Sequence, residues 1–254
     1  MDDTTPVAIK RILRDAVKLC YGNPSRFVGA AALVGLPPLA LSLLAMARDP
    51  DAAMSPGQGF IGLVSLALLV ASFVLGIYFV GALPLMTAFA LDGRPMGWTD
   101  AFSWIRDRGV FWGVFLALLL DGLAVLGGLV LLVIPGLLFG TWFMLAVPSR
   151  VLGDHRGRRA LAVSRSVVQP VLTRGALSFA GLVILPVVVL TWPVYGVCIA
   201  KYGLMSSAPG RVIPPAMAAF IVGTFWGPVA GVALALLYIE RSGGLRALRE
   251  DLFL

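Results

Sequence analysis

Apolar residues in this chain come in long, unbroken stretches rather than alternating with polar ones. Six stand out: Phe27–Met46, Phe60–Leu91, Val110–Val133, Leu137–Val151, Ala176–Ala200 and Ala216–Ile239. A helix needs about 20 apolar residues to cross the roughly 30 Å hydrocarbon core of a bilayer. The pattern therefore predicts an all-α integral membrane protein with six transmembrane helices, a single polytopic domain over residues 1–254. The fourth stretch is short, so residues 110–151 form either one long helix or two. As helix they would run about 63 Å at 1.5 Å per residue, enough for two crossings. Pro135-Gly136 would then make the turn, since proline stops a helix and glycine permits the reversal.

Three of the segments between the stretches have a second, helical period. In Ile9–Tyr21, the side chains of Ile9, Ile12, Leu13, Ala16, Val17 and Cys20 share one face, and Arg11, Arg14, Asp15 and Lys18 the other. In Trp98–Arg108, Trp98, Ala101, Phe102 and Ile105 oppose Thr99, Asp100, Ser103 and Asp107. In Arg158–Gln169, Ala160, Leu161, Val163, Val167 and Val168 oppose Arg158, Arg165 and Gln169. Each precedes a pair of spans and is expected in the headgroup plane, its basic residues toward anionic lipid. The order amphipathic helix, span, short loop, span then occurs three times, which reads as a three-fold helix-hairpin repeat. The alternative is that any loop entering a span looks somewhat amphipathic. Leu245, Leu248 and Leu252 give a short fourth amphipathic piece.

Charge sets the orientation. The 20 Lys and Arg fall between and outside the stretches, with Arg150, inside the fourth stretch as bounded, counted with the loop that follows. Alternate segments carry 17 on one side and 3 on the other. That bias predicts that the basic side, and both termini, lie in the cytoplasm. It also accounts for the net charge of +7 without nucleic acid. Composition agrees: 59% of residues are hydrophobic and 13% charged, against about 45–50% and about 25% in soluble domains. The first 25 residues contain no isolated apolar core of a signal peptide, so the first span is expected to direct insertion. Cys20 and Cys198 would lie at opposite ends of the bundle, too far apart to pair.

Little in the chain suggests catalysis. Its one histidine, His155, lies in a basic loop; no Cys/His pattern has metal-ligand spacing and no phosphate-binding glycine loop carries a lysine. No cofactor or metal is expected. Ser42, Ser65, Ser72, Thr87, Thr141, Ser178, Thr191 and Thr224 lie in spans, where most can bond back to their own helices. Asp121 differs, sitting near the middle of Val110–Val133 with no Lys, Arg or His in a span to pair with it. Such a charge costs at least about 2.5–3.5 kcal/mol on insertion scales. Asp121 is therefore either protonated and hydrogen-bonded to a neighbouring helix, or turned toward a wet cavity, where it would be a candidate intramembrane site. Gly223, Gly227 and Gly231 form a small-xxx-small stripe suited to helix packing in the monomer or in a homo-oligomer. Prolines within spans (Pro37-Pro38, Pro84, Pro148, Pro186, Pro193 and Pro228) either shape the packing or break helices around a site.

The run Leu132–Pro148, LVIPGLLFGTWFMLAVP, followed by GRRALAVSRSVVQ, resembles the membrane domain of bacterial glycerophosphoryl diester phosphodiesterases. The opening ILRDAVKLCYGNPSRFVGAAALVGLPPLAL and the ending Leu236–Leu254 are similar to that family's amphipathic entry and closing helix. The resemblance implies an all-helical membrane domain of about six spans, also known as stand-alone proteins of unknown function. It implies no catalytic site, because catalysis in the fused enzymes belongs to a soluble barrel that has no room here. His155-Arg156-Gly157 matches the start of the barrel's motif, but Arg158-Arg159 stand where acidic residues would follow.

The expected function is thus non-catalytic: a scaffold, accessory subunit or lipid-handling module, with Arg158, Arg159 and Arg165 contacting lipid headgroups or a membrane protein partner. The alternative is a transporter or permease for a small or amphipathic solute that uses Asp121. A membrane-embedded enzyme acting on lipid is a third and weaker reading.

Overall fold

The computed structural model describes residues 6–44, 56–131, 139–155, 157–168, 193–201 and 209–243, with Val189 and Thr191. All regular structure among them is helical: α1 (Pro6–Gly22), α2 (Pro24–Leu44), α3 (Pro56–Leu91), α4 (Trp98–Asp107), α5 (Val110–Leu131), α6 (Ala146–Leu152), α7 (Arg158–Val168) and α8 (Pro209–Arg241). Further helical residues occur at 139–143 and 193–201. Four helices, α2, α3, α5 and α8, are long and apolar enough to cross a membrane. Most of the fifth expected span, the Pro135-Gly136 turn and the C-terminal leucines lie outside the described residues.

Contacts between helices fix their directions. Arg11 of α1 forms an ion pair with Glu240 at the end of α8, so both elements meet at one end of the bundle. Near that end Gly231 of α8 lies against Leu83 of α3. Gly81 of α3 receives Ile105 of α4 and Val114 of α5, where an added Cβ would come within 3.2 Å and 3.3 Å of their methyls. Gly113 of α5 faces the Arg150 guanidinium, and Val125, further along α5, faces Gly140. As one segment advances the other returns, so residues 110–131 and 139–152 run antiparallel. That arrangement rules out one continuous helix; of the two described arms, α5 is long and apolar enough to cross a membrane and residues 139–152 are not.

The best-buried part of the molecule is the end where α1, α4 and α7 gather. Ile12, Ala16 and Cys20 of α1 and Ala101 and Ile105 of α4 are buried among the ends of the long helices. Gly81 to Ala88 of α3 are buried without interruption. At 36 residues α3 runs about 54 Å, well beyond a hydrocarbon core, and its last three turns lie in this collar. The three helices have the faces their periodicity predicts, but their apolar residues pack onto protein rather than being left for lipid. Burying them there satisfies the hydrophobic effect and leaves the charged faces outward.

The rest of the bundle is apolar on its outside. Phe60, Leu63, Leu66, Leu69, Val70 and Phe73 make an exposed stripe on α3, and Trp112, Leu116, Leu119, Leu123 and Leu126 another on α5. Leu63 is 69% and Trp112 70% exposed. A surface this apolar suits hydrocarbon and would drive association in water.

Two sequence expectations need correction. Leu137–Val151 is not one continuous helix: it turns at Met144-Leu145 between residues 139–143 and α6. Arg150 is not a loop charge either, but a buried residue of α6. Its guanidinium pairs with Asp154 four residues on, which holds a positive φ of 45°. The absence of a side chain at Gly113 leaves room for it.

Candidate functional site

Among the described residues, two of the cavities between the long helices have polar side chains on their walls. The first, about 600 Å³, is bounded by α2, α3, α8 and the 193–201 segment. Its walls are mostly apolar, with Ser42, Ser72, Tyr195, Cys198 and Thr224 among them. Ser42 and Ser72 donate to carbonyls of their own helices, Pro38 at 2.9 Å and Leu68 at 2.7 Å. Ser65 and Thr87 do the same elsewhere on α3. The Thr224 hydroxyl is buried and has no hydrogen-bond partner among the described residues. Gly35 of α2 creates room beside Phe220 and Thr224.

The second cavity, about 420 Å³, lies between α3, α5, α8 and residues 139–148. Asp121 is on its wall, and one oxygen of its carboxylate is buried without a partner among the described residues. Among the described residues no other polar side chain lines this chamber; its walls include Phe79, Leu118, Phe143, Met144 and Leu234. Phe79 borders both cavities. Prolines border them too. Pro84, inside α3, lacks an amide hydrogen and so leaves the Val80 carbonyl without its usual helical donor, whereas Pro148 stands in the first turn of α6, after Met144, where no helical bond is lost. All four residues line the Asp121 chamber.

The broken segment at 144–145 is held from outside the chamber by α7. Ser164 accepts the Leu145 amide at 3.1 Å and donates to the Trp142 carbonyl at 2.8 Å. Ser149 donates to the Ala160 carbonyl at 3.0 Å. A turn within an apolar segment needs its backbone groups satisfied; Ser164 does that, and Ser149 ties α6 to α7. Neither was singled out by sequence reasoning, because serines in an amphipathic helix and near a helix end look ordinary. The available signal was Ser164 itself, a polar residue on the apolar face of α7.

The residues expected at the site are spread out. Asp121 is in the chamber. Gly231 packs tightly on Leu83, whereas an added Cβ at Gly223 or Gly227 would meet nothing within 4 Å. Gly223 lines the larger cavity and Gly227 the chamber, so two of the three glycines provide space rather than contact. Arg158, Arg159 and Arg165 are exposed on α7, far from forming a site with Asp121 in any described contact. The Arg165 guanidinium lies over the Trp142 ring, 4.6 Å from its centroid. His155 packs at Gly153, where an added Cβ would meet its ring at 3.1 Å and the Tyr238 hydroxyl at 2.6 Å. Cys198 and Cys20 are both buried free thiols. No group of three or more metal-ligating side chains occurs among the described residues. Comparison of the chain with protein-family models, with curated proteins and with solved structures finds no match to any of them.

Proposed function

We propose that this chain is a non-catalytic polytopic protein of the bacterial inner membrane that holds the apolar part of an amphipathic molecule between its helices. The observation that carries this reading is the cavity of about 600 Å³ between α2, α3 and α8. Its size falls within the roughly 300–1,000 Å³ usual for ligand sites. Apolar walls with one unpartnered hydroxyl suit an acyl chain entering beside a polar linkage. The reading takes the chain to cross the membrane six times with both termini cytoplasmic, supported by the 17-to-3 division of basic residues. Arg158 and Arg159 then face anionic headgroups from the collar. The resemblance to the phosphodiesterase membrane domain belongs with this reading and rests on the residues already quoted.

The test uses a phospholipid with a photoactivatable acyl chain. Illuminated in native membranes, it should label peptides of α2 and α8 facing the cavity. Gly223→Leu, which adds a side chain at the cavity wall where a Cβ meets nothing within 4 Å, should abolish that labelling and spare labelling of the exposed α3 stripe. Equal labelling of the variant would refute the reading.

A second reading is favoured by one observation. Asp121 lies in a chamber beside a broken, proline-containing segment, an arrangement that transporters use to bind solutes near the bilayer midplane. On this reading the chain moves a solute, and Asp121→Asn abolishes that activity in a folded protein.

A further inference from the structure

We infer that the chamber between α3, α5, α8 and residues 139–148 is a binding site for an organic monocation: an ammonium group on an apolar body. The inference rests on the chain being membrane-embedded, as proposed above, but not on lipid occupying the larger cavity. Four features lead to it. The chamber has a single polar side chain, the Asp121 carboxyl, with one oxygen buried and unpartnered among the described residues. No other described wall residue has a side chain that can donate to an anion or a sugar, so phosphates and polyols have no partner among them. Pro84, inside α3, frees the carbonyl of Val80, a wall residue, and this adds an acceptor only. Phe79 and Phe143 put aromatic rings on its walls, and aromatic rings attract ammonium groups once water is excluded.

The volume completes the argument. About 420 Å³ is far more than a bare ion fills. Hard metal cations want six or more oxygen ligands, and this chamber has one carboxylate amid hydrocarbon walls. A body with apolar substituents around one positive charge matches both. Binding neutralises the lone carboxylate in a place where an unpaired charge is costly.

The experiment measures binding of benzyltriethylammonium to the purified full-length chain in nanodiscs. It is compared with the uncharged analogue in which a quaternary carbon replaces nitrogen. The wild type should bind the cation at least about tenfold more tightly than Asp121→Asn does. The neutral analogue should bind the two proteins alike. Gly227→Leu keeps the carboxylate and fills the chamber, so it should also lose cation binding; it decides the matter if Asp121→Asn fails to fold. Unchanged affinity in a folded Asp121→Asn or Gly227→Leu protein would overturn the inference. So would equal binding of cation and neutral analogue to the wild type, or no saturable cation binding at all. A chain that fails this test yet is photolabelled by lipid in the larger cavity would refute only the monocation site. A chain that passes it without lipid labelling would refute only the lipid reading.

Discussion

Single residues decide how this bundle tolerates polar atoms. Ser164 shows it most clearly, because one hydroxyl satisfies both sides of the turn at Met144-Leu145. Ser164→Ala leaves the buried Leu145 amide without an acceptor, a loss of about 1–3 kcal/mol. Its thermal unfolding in detergent should fall clearly below the wild type. Ser166→Ala, which removes only an exposed bond to Val163 of the same helix, should be unchanged. Equal melting of the two variants would mean that Ser164 does not hold the turn. Cys20 makes a second test outside the spans. Burial pushes its thiol up from 9.0 to about 12, because the thiolate would lose its solvation. The folded state thus favours the neutral thiol, so its contribution to stability is complete below pH 9.0 and lost as pH rises toward about 12. Replacing Cys20 with Ala should make the melting temperature less sensitive to pH over that window. Identical pH dependence in the two proteins would remove Cys20 from the explanation.

At the scale of elements, the sequence was most informative where periodicity met burial. The faces of α1 and α4 were legible because Ile12, Ala16, Cys20, Ala101 and Ile105 recur every three or four residues and must be hidden somewhere. What hides them was not legible, since lipid and protein are equally apolar. The break in the fourth segment escaped notice because Met144 and Leu145 are ordinary helix formers; the turn depends on Ser164, 19 residues further on than Leu145. Arg150 was misread for a related reason. A charge at the edge of an apolar stretch looks like a loop residue unless Asp154 and Gly113 are known to receive it. The antiparallel pairing of α5 with residues 139–152 can be tested directly. Cysteines placed at Val125 and Gly140 should cross-link with a short bifunctional reagent, detected by mass spectrometry of the linked peptides. A pair at Leu116 and Gly140, on the same helices but two turns out of register, should not. Linking of the second pair alone would mean that the arms do not align as described.

For the whole molecule, two gradients run along the bundle. Burial is densest in the collar of α1, α4 and α7, and the apolar surface is most exposed on the long helices away from it. Between them lie the two cavities, with Phe79 as their shared wall. Asp121 stood out in the sequence by charge alone. Its chamber did not, because it is assembled from four segments whose approach depends on small residues such as Gly140 and Gly231. The glycine stripe on α8 was visible as a motif, but the motif does not say whether glycines admit a helix or leave a space, and here Gly231 does the first and Gly223 and Gly227 the second. The central claim is that the chain retains an amphipathic molecule between α2, α3 and α8. Native mass spectrometry of the protein, extracted gently from its own membrane, tests it most directly. The account predicts a single polypeptide carrying a bound lipid-sized molecule that Gly223→Leu no longer retains. A bare chain, an adduct indifferent to Gly223→Leu, or a stoichiometric second polypeptide in place of the small molecule would contradict it.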